Sequence, residues 1–407
     1  MDATVDADLA TVRGTLSYAG CACTLVDPLA LLSVPADDRT RVRTFPNRDD
    51  TGAVTWAPVP GTTDQVTFEA RLPTRYGDVG ALPRRGLFAN GGWHPLVVDE
   101  VGNPVTAQWR VEVALPEPVV GVLNGEVGTG VLLWQGYSDR AALAVVPRGR
   151  VTTIPAGGGR IRFVESGHVE KRVHARIAAL ANDGGWPLRG PPDLTIVEDL
   201  DLLHLATAAP GMVYLSDRAF RVSPGLGPYH GAPVRRAMVE ASVPRGVGWE
   251  RSFIGGALTR GLPVPDMRKT LGAFAWNPLV DALLYDGTLP YYDAIFDEPF
   301  DRNPTLFELA HPRFPAPAAA RQLDDLLGEG NAVTLSKLLL EGRSLANACR
   351  TLGVPEPLVA GWGAPYPVDQ DYTVKVHDGV VEVERSAEAG APAEVVLVTL
   401  DGVPAAP

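Results

Sequence analysis

Three cysteines in 407 residues exclude a dense disulfide framework. Cys21 and Cys23 stand two apart, so on a strand they share a face, and pairs this close rarely close a relaxed disulfide. They read as small buried side chains, with a soft-metal or redox pair as the alternative. Cys349, in SLANACRTLG, reads as a helix core residue, since a cysteine nucleophile needs a positioned histidine. A basic surplus is also missing. The 36 Lys and Arg face 48 Asp and Glu, a formal charge of −12, which argues against nucleic acid or an anionic membrane as partner. No run approaches the roughly 18 apolar residues that span a bilayer. The best stretch, PEPVVGVLNGEVGTGVLLW, is broken by proline, glycine and charge. The opening MDATVDADLATVRG has neither the basic start nor the apolar centre of a secretory signal. There is no G-x-S-x-G, and Ser216 and Ser223 fall in segments that read as loops, which argues against a serine triad. Gly157-Gly158-Gly159 lacks the spacing and helix of a nucleotide site and reads as a tight loop.

What the chain has in quantity is turn residues and short apolar runs. With 43 Gly and 37 Pro it is rich in turns but below the level of disordered chains. Its length predicts several domains. Over the first 165 residues, QVTFEARL, QWRVEVAL, GVLLWQG, AALAVVPRG, RVTTIP and GRIRFVE recur between turn signals such as Asn124-Gly125, and several alternate apolar with polar. Near residue 166 the period changes. Ser166 can cap a helix in which Val169, Val173, Ile177 and Leu180 share one face. His168 and His174 then lie on different faces and read as solvated. PPDLTIVEDLDLLHL reads as a strand entering a loop, with Glu198, Asp199, Asp201 and His204 as a solvated acidic run; a contact with a substrate amine or a cation is the alternative. PVRRAMVEAS and WERSFIGGALTRGL read as helices, and residues 314–354 as two or three more, stopped by Pro355. Alternation returns over 372–400. The order β, mixed and helical, then β predicts separate units over 1–165, 166–365 and 370–407, an α+β multi-domain chain. The last unit is short enough to suggest that a further domain or partner completes it.

Four stretches carry a family resemblance: RTFPNRDD with Trp56, LFANGGWHPLV, WRVEVALPEPVVGVLNG with LLWQGYSDRAALAVV, and GGWPLRGPPDLTIVED. Together they resemble the gluzincin zinc aminopeptidases of the aminopeptidase N kind. The resemblance implies an N-terminal β saddle or sandwich, a thermolysin-like mixed α/β and helical domain, and a small C-terminal β-sandwich module. It also implies a zinc ion held by H-E-x-x-H and a later Glu. That motif is absent. On the helix VRRAMVEAS, Arg236 stands where the first His belongs, Ala237 where the general base belongs and Glu240 where the second His belongs. On SFIGGALTRG, Gly255 stands for the third ligand, and HLATAAPGMVYLS has no Glu to hold a substrate amine. Tyr291-Tyr292 falls near the family's oxyanion tyrosine and reads as packed aromatics.

The sequence therefore predicts no zinc or other cofactor. Residues i and i+4 share a helix face, so an Arg236–Glu240 ion pair is expected in place of the metal. A site assembled from His94, His204, His230 or His311 is the metal alternative. The expected cleft comprises Glu198, Tyr229, His230, Arg235, Arg236 and Glu240. The function this implies is a non-catalytic, peptidase-like scaffold with a protein or peptide partner, periplasmic, envelope-bound or secreted by family resemblance. An aminopeptidase-like hydrolase with a non-standard site is the alternative.

Overall fold

The structure is a computed structural model that describes residues 1–19, 24–27, 31–34, 40–43, 53–56, 63–73, 79–82, 86–98, 104–156, 159–167, 171–182, 193–199, 206–216, 227–243, 248–259, 316–363, 372–377 and 380–385. It is a mixed α/β architecture with several sheets. Cys21, Cys23, His168, Asp201, His204, Ser223, His311 and the 291–293 segment lie outside the described residues.

The N-terminal region is built of strands because its runs alternate. Ala107–Ala114 buries Trp109, Val111 and Val113 and turns Gln108, Arg110 and Glu112 outward, the period-2 signature of a one-sided sheet. It belongs to a six-stranded sheet in the order Val131–Ser138, Ala107–Ala114, Asp2–Val5, Thr11–Ala19, Thr63–Arg71, Leu32–Ser33. Asp2–Val5 runs parallel to Ala107–Ala114, and the other pairs are antiparallel. A four-stranded sheet runs Leu96–Val98, Thr24–Val26, Ala53–Trp56, Thr40–Arg43. A five-stranded sheet runs Glu126–Gly128, Val119–Leu123, Leu143–Pro147, Gly86–Ala89, Val79–Leu82. One apolar core joins them, with Leu25, Phe68, Leu87, Trp93, Val111 and Leu143 among its buried members.

Within this core His94 is fully buried, edge-on between Trp93 and Trp109 at centroid distances of 4.8 and 5.2 Å. A neutral ring suits the site: Nδ1–H donates to the Pro95 carbonyl at 2.8 Å and Nε2 accepts the Ala141 N–H at 3.1 Å. Desolvation pushes its pKa down to about 4. The folded state therefore binds fewer protons than the unfolded chain between about pH 6.5 and 4, and stability drops as pH falls through that window. The loss expected from this one group is about 3 kcal/mol. Between about pH 6.5 and 4, denaturant titrations should show the wild type losing about 3 kcal/mol more stability than His94→Gln.

The periodicity changes where the sequence predicts. A mixed five-stranded sheet follows, in the order Arg150–Ala156, Gly159–Glu165, Leu194–Asp199, Met212–Ser216, Ala206–Ala209. The three middle strands are parallel. All six residues of Leu194–Asp199 are buried, as a central parallel strand covered on both faces should be. Val197, Met212 and Tyr214 face Phe88, Val122 and Ala144 of the N-terminal sheets. Ile161, Phe163, Ile196 and Leu215 face the helices.

The helices among the described residues are α1 (Lys171–Asn182), α2 (Gly227–Ser242), α3 (Gly248–Thr259), α4 (Ala316–Leu327), α5 (Asn331–Leu340), α6 (Leu345–Leu352) and α7 (Glu356–Gly363). α1 is described from Lys171, with Val169 outside the described residues, and the Ser166 N–H and hydroxyl donate to Glu198. Pro355 does not end the helical region: α7 starts on the next residue. α6 is capped by Ser344, whose side chain accepts the Asn347 N–H, and closed by Gly353 at φ 72°. Buried Cys349 sits in the core of α3–α7, and burial pushes its thiol up to about 11. Trp249, Phe253 and Trp362 cluster in the same core, and Trp362 Nε1–H donates to Gln322. No helix among the described residues is long and apolar enough to cross a membrane. Tyr372–His377 and Val380–Arg385 pair as an antiparallel hairpin.

Candidate functional site

α2 separates two cores. Val234, Ala237, Met238 and Ala241 pack on the mixed sheet, whereas Val239 and Val243 pack on the helical core with α3. Arg236 and Glu240 stand one turn apart at the crossing with α3. Arg236 Nε lies 3.4 Å from Glu240 Oε1, and the Ser252 hydroxyl donates to the same oxygen at 3.2 Å. Gly255 closes the other side: a Cβ built there would sit 2.5 Å from Glu240 Cγ and 2.9 Å from Oε1. Glycine at 255 therefore leaves room for Glu240 in this position, and a side chain there requires the Glu240 side chain to shift. Burial pushes the Glu240 carboxyl above the usual range, and Arg236, Ser252, Arg251 and Arg140 draw it back only in part.

Asp139 is a second buried hub beside this crossing. It follows the Val131–Ser138 strand, in a chain segment that leads on to Leu143–Pro147. One carboxylate oxygen takes Arg140 Nη1 at 2.9 Å and the backbone N–H of Gly248 at 3.0 Å. The other takes Arg251 Nη2 at 2.6 Å. Arg140 Nε also donates to Asn90 at 3.0 Å, and Asn90 donates to the Ala208 carbonyl at 3.3 Å. Burial alone raises an acid's pKa, yet Arg140 and Arg251 overcome it and hold the Asp139 carboxyl below its ordinary value. The network links an N-terminal strand, the edge strand Ala206–Ala209 and the first turn of α3.

The other expected cleft residues scatter. Arg235 is buried on α2. Tyr229 and His230 occupy the helix's first turn, and their side chains lie outside the described residues. Glu198 is not a solvated loop residue, and neither is Asp199: both are buried on the central strand, where Glu198 accepts the N–H and hydroxyl of Ser166 at 3.0 and 3.1 Å. Ser216 likewise ends a buried strand instead of lying in a loop. His174, expected in solvent, is buried on α1, its ring tilted against Phe163 at a centroid distance of 4.5 Å and hydrogen-bonded to Glu165. Burial raises the Glu165 pKa, His174 lowers it and Glu198 raises it further, for a net upward shift.

Sequence reasoning gave no role to Asn90, Asp139, Arg140, Glu165 or Arg251. One signal was present: Asp139-Arg140 is a charged pair flanked by the apolar runs LLW and AALAVV, and a charge pair in such a setting is buried only with partners.

Arg236, Ala237, Glu240 and Gly255, as arranged here, do not fit a zinc ion. A catalytic zinc needs about three anionic or imidazole donors, whereas one carboxylate here is ringed by guanidinium groups that repel a dication. Among the described residues no three His, Cys, Asp or Glu side chains are grouped to hold a metal. His94 in particular has both ring nitrogens engaged by backbone groups of the β core.

No family model matches the chain, and no curated protein does. Solved structures do. An aminopeptidase N family protein from Idiomarina loihiensis is similar at 12% identity and a TM-score of 0.48, over 89% of this chain and 72% of that one. A mutant of an M1 zinc metallopeptidase from Deinococcus radiodurans, bound to a Tyr-Ser-Ala substrate, is similar at 14% identity and a TM-score of 0.47, over 89% and 92%. A two-domain M1 zinc metallopeptidase variant bound to L-arginine gives 14% and 0.48, over 88% and 91%. At such identities and TM-scores, function is read from this chain's own residues.

Proposed function

We propose that this chain is a non-catalytic, peptidase-like scaffold that acts by binding a protein or peptide, in the periplasm, at the envelope or outside the cell. One observation supports this reading above the others. The Glu240 carboxylate at the α2–α3 crossing is engaged by Arg236 and Ser252 and packed against Gly255. On the resemblance, Arg236 and Glu240 hold positions where a metallopeptidase would carry ligands, and here their side chains meet each other. The desolvation of a half-buried pair offsets much of its attraction, so the pair matters chiefly as a filler that excludes a dication.

The buried Glu165–His174 pair beside Glu198 favours a second reading, a hydrolase with a non-standard site. A carboxylate-oriented imidazole is the usual general base. It lies, however, beneath α1 and against Phe163.

Elemental analysis of the purified chain, followed by a panel of aminoacyl reporter amides, separates the readings. The expected result is far less than one zinc per chain and no turnover above the blank. Stoichiometric zinc with chelator-sensitive turnover overturns the scaffold reading. Turnover that ignores chelators and is lost in His174→Gln transfers the chemistry to the Glu165–His174 pair.

A further inference from the structure

We propose that Glu165, bonded to His174 and set beside Glu198, is a proton-controlled latch that holds α1 on the mixed sheet. Val164 pairs with Val197 in the parallel ladder, so Glu165 and Glu198 follow side by side near the carboxyl ends of their strands. Phe163 and Ile196 face the helices, and the strand period of two turns both carboxyls the same way. Glu165, His174 and Glu198 are 1%, 3% and 4% exposed. His174 Nε2 meets Glu165 Oε1, and its ring lies 4.5 Å from that of Phe163. Glu198 Oε2 accepts the Ser166 N–H and hydroxyl at 3.0 and 3.1 Å. Two buried carboxyls and one imidazole therefore meet under a single helix.

The apolar anchorage of α1 is thin. Among its described side chains Ile177 and Ala178 are buried in the core beneath it, and Val173 and Leu180 partly so. A helix of twelve residues is marginal without packing, so the charge under it weighs on its docking. Glu165 feels His174 from α1, Glu198 from the central strand and Arg150 from the antiparallel strand, where Arg150 is exposed and opposite Glu165 in register. α2 presents apolar Val234, Ala237 and Met238 to the same core. Arg176 of α1 is exposed, and the side chains of Lys171 and Arg172 lie outside the described residues. Ionisation of Glu165 sets a second carboxylate beside that of Glu198, where little solvent screens the pair. Burial above all, and Glu198 after it, raise the Glu165 pKa, and His174 and Arg150 bring it only part of the way back. Docked α1 thus keeps a proton that the open helix releases. Docking is strongest in acid and weakens as pH rises from the ordinary carboxylate value, about 4.3, through the folded value.

Hydrogen exchange of the full chain at a series of pH values, corrected for the intrinsic exchange rate, tests the latch. Protection of the α1 amides should fall as pH rises above about 4.3, by up to about tenfold per pH unit, the slope for one proton. Glu165→Gln is neutral throughout and should hold α1 docked with no such slope. Glu198→Gln should shrink the response, because Glu165 then ionises without a like charge beside it. Amides of Ala107–Ala114 report on global opening and should not share the slope. Protection of α1 that ignores pH in the wild type overturns the proposal, as does a slope that persists in Glu165→Gln or one that Ala107–Ala114 follows equally. If near-UV dichroism finds Glu165→Gln unfolded, Glu198→Gln decides, and an undiminished slope there overturns the latch. The readout involves neither zinc nor turnover, so it stands or falls apart from the scaffold reading.

Discussion

Asp139→Ala is expected to destabilise the folded chain by about 3–5 kcal/mol, the loss that follows when one partner of a buried ion pair is removed and the other charge is left behind. Here two guanidinium groups are left behind, those of Arg140 and Arg251. Neither can shed its proton, since arginine stays charged in proteins. The helix start loses a cap as well. The Gly248 N–H opens α3 and is satisfied by a carboxylate 109 residues away, where a negative charge also complements the helix dipole. The first turn of α3 should therefore open early. Hydrogen exchange after denaturant titration locates the loss, and α3 amides should lose protection before those of Ala107–Ala114. Arg251→Met should cost much less in the Asp139→Ala background than in the wild type, because the stranded charge is then gone.

The pH dependence has a defined sign. The folded pKa of Asp139 lies below its unfolded value, so its contribution is complete above about pH 4 and lost as pH falls through the folded value. Glu240 behaves oppositely. Its folded pKa is raised, so its carboxyl favours the folded state in acid and that advantage fades as pH rises through the folded value. Two carboxylates close to the same arginines thus respond to pH in opposite directions. The difference is that Asp139 accepts two guanidinium groups and a backbone amide, whereas Glu240 accepts one distant guanidinium and a hydroxyl.

The strands of the N-terminal region were legible because one-sided sheets alternate: QWRVEVAL and GVLLWQG carry their faces in their sequence. The helices α2, α3 and α6 lie on segments read as helical, and the Asn124-Gly125 turn was legible from its residues. The buried charges were not. Glu198 and Asp199 follow an apolar run and look like the approach to a loop, but a parallel strand covered on both faces shows no alternation to place them. Their burial depends on partners that local patterns cannot supply: Ser166 is 32 residues from Glu198, and Arg251 is 112 from Asp139. His174 looked solvated for the same reason, since its partner Glu165 lies on a preceding strand rather than one helical turn away. The Arg236–Glu240 spacing could be read from the helix, whereas the fit of Glu240 over Gly255 could not, because it depends on how two helices cross.

Gly211→Ala should be the second severe lesion, at about 3 kcal/mol or more, since it combines a left-handed backbone with a clash against main chain. Two tight turns meet here. Asn124 and Gly125, at φ 44° and 87°, close the hairpin between Val119–Leu123 and Glu126–Gly128 in the manner of a type I′ turn. Pro210-Gly211 closes the hairpin between Ala206–Ala209 and Met212–Ser216, with Gly211 at φ 71° as a type II turn requires. The turns touch through their backbones: a Cβ on Gly211 would lie 2.3 Å from the Asn124 carbonyl oxygen, and one on Gly125 2.4 Å from that of Gly211. Neither turn can retreat. Thr195 and Arg162 donate to the Gly125 carbonyl, the Gly211 N–H donates to Ala241 at the end of α2, and Asn124 holds the Ala142 N–H at 2.7 Å. An added methyl must therefore part the mixed sheet from the N-terminal sheet or strain both. Gly130→Ala is the control, with φ 73° but nothing within 4 Å of its Cβ, so only backbone strain of about 1–2 kcal/mol is expected. Because Gly125 and Gly211 meet at a single contact, the double substitution should cost less than the sum of the singles. Equal costs for Gly130→Ala and Gly211→Ala in a denaturant titration would show that the two turns are not pressed together in solution.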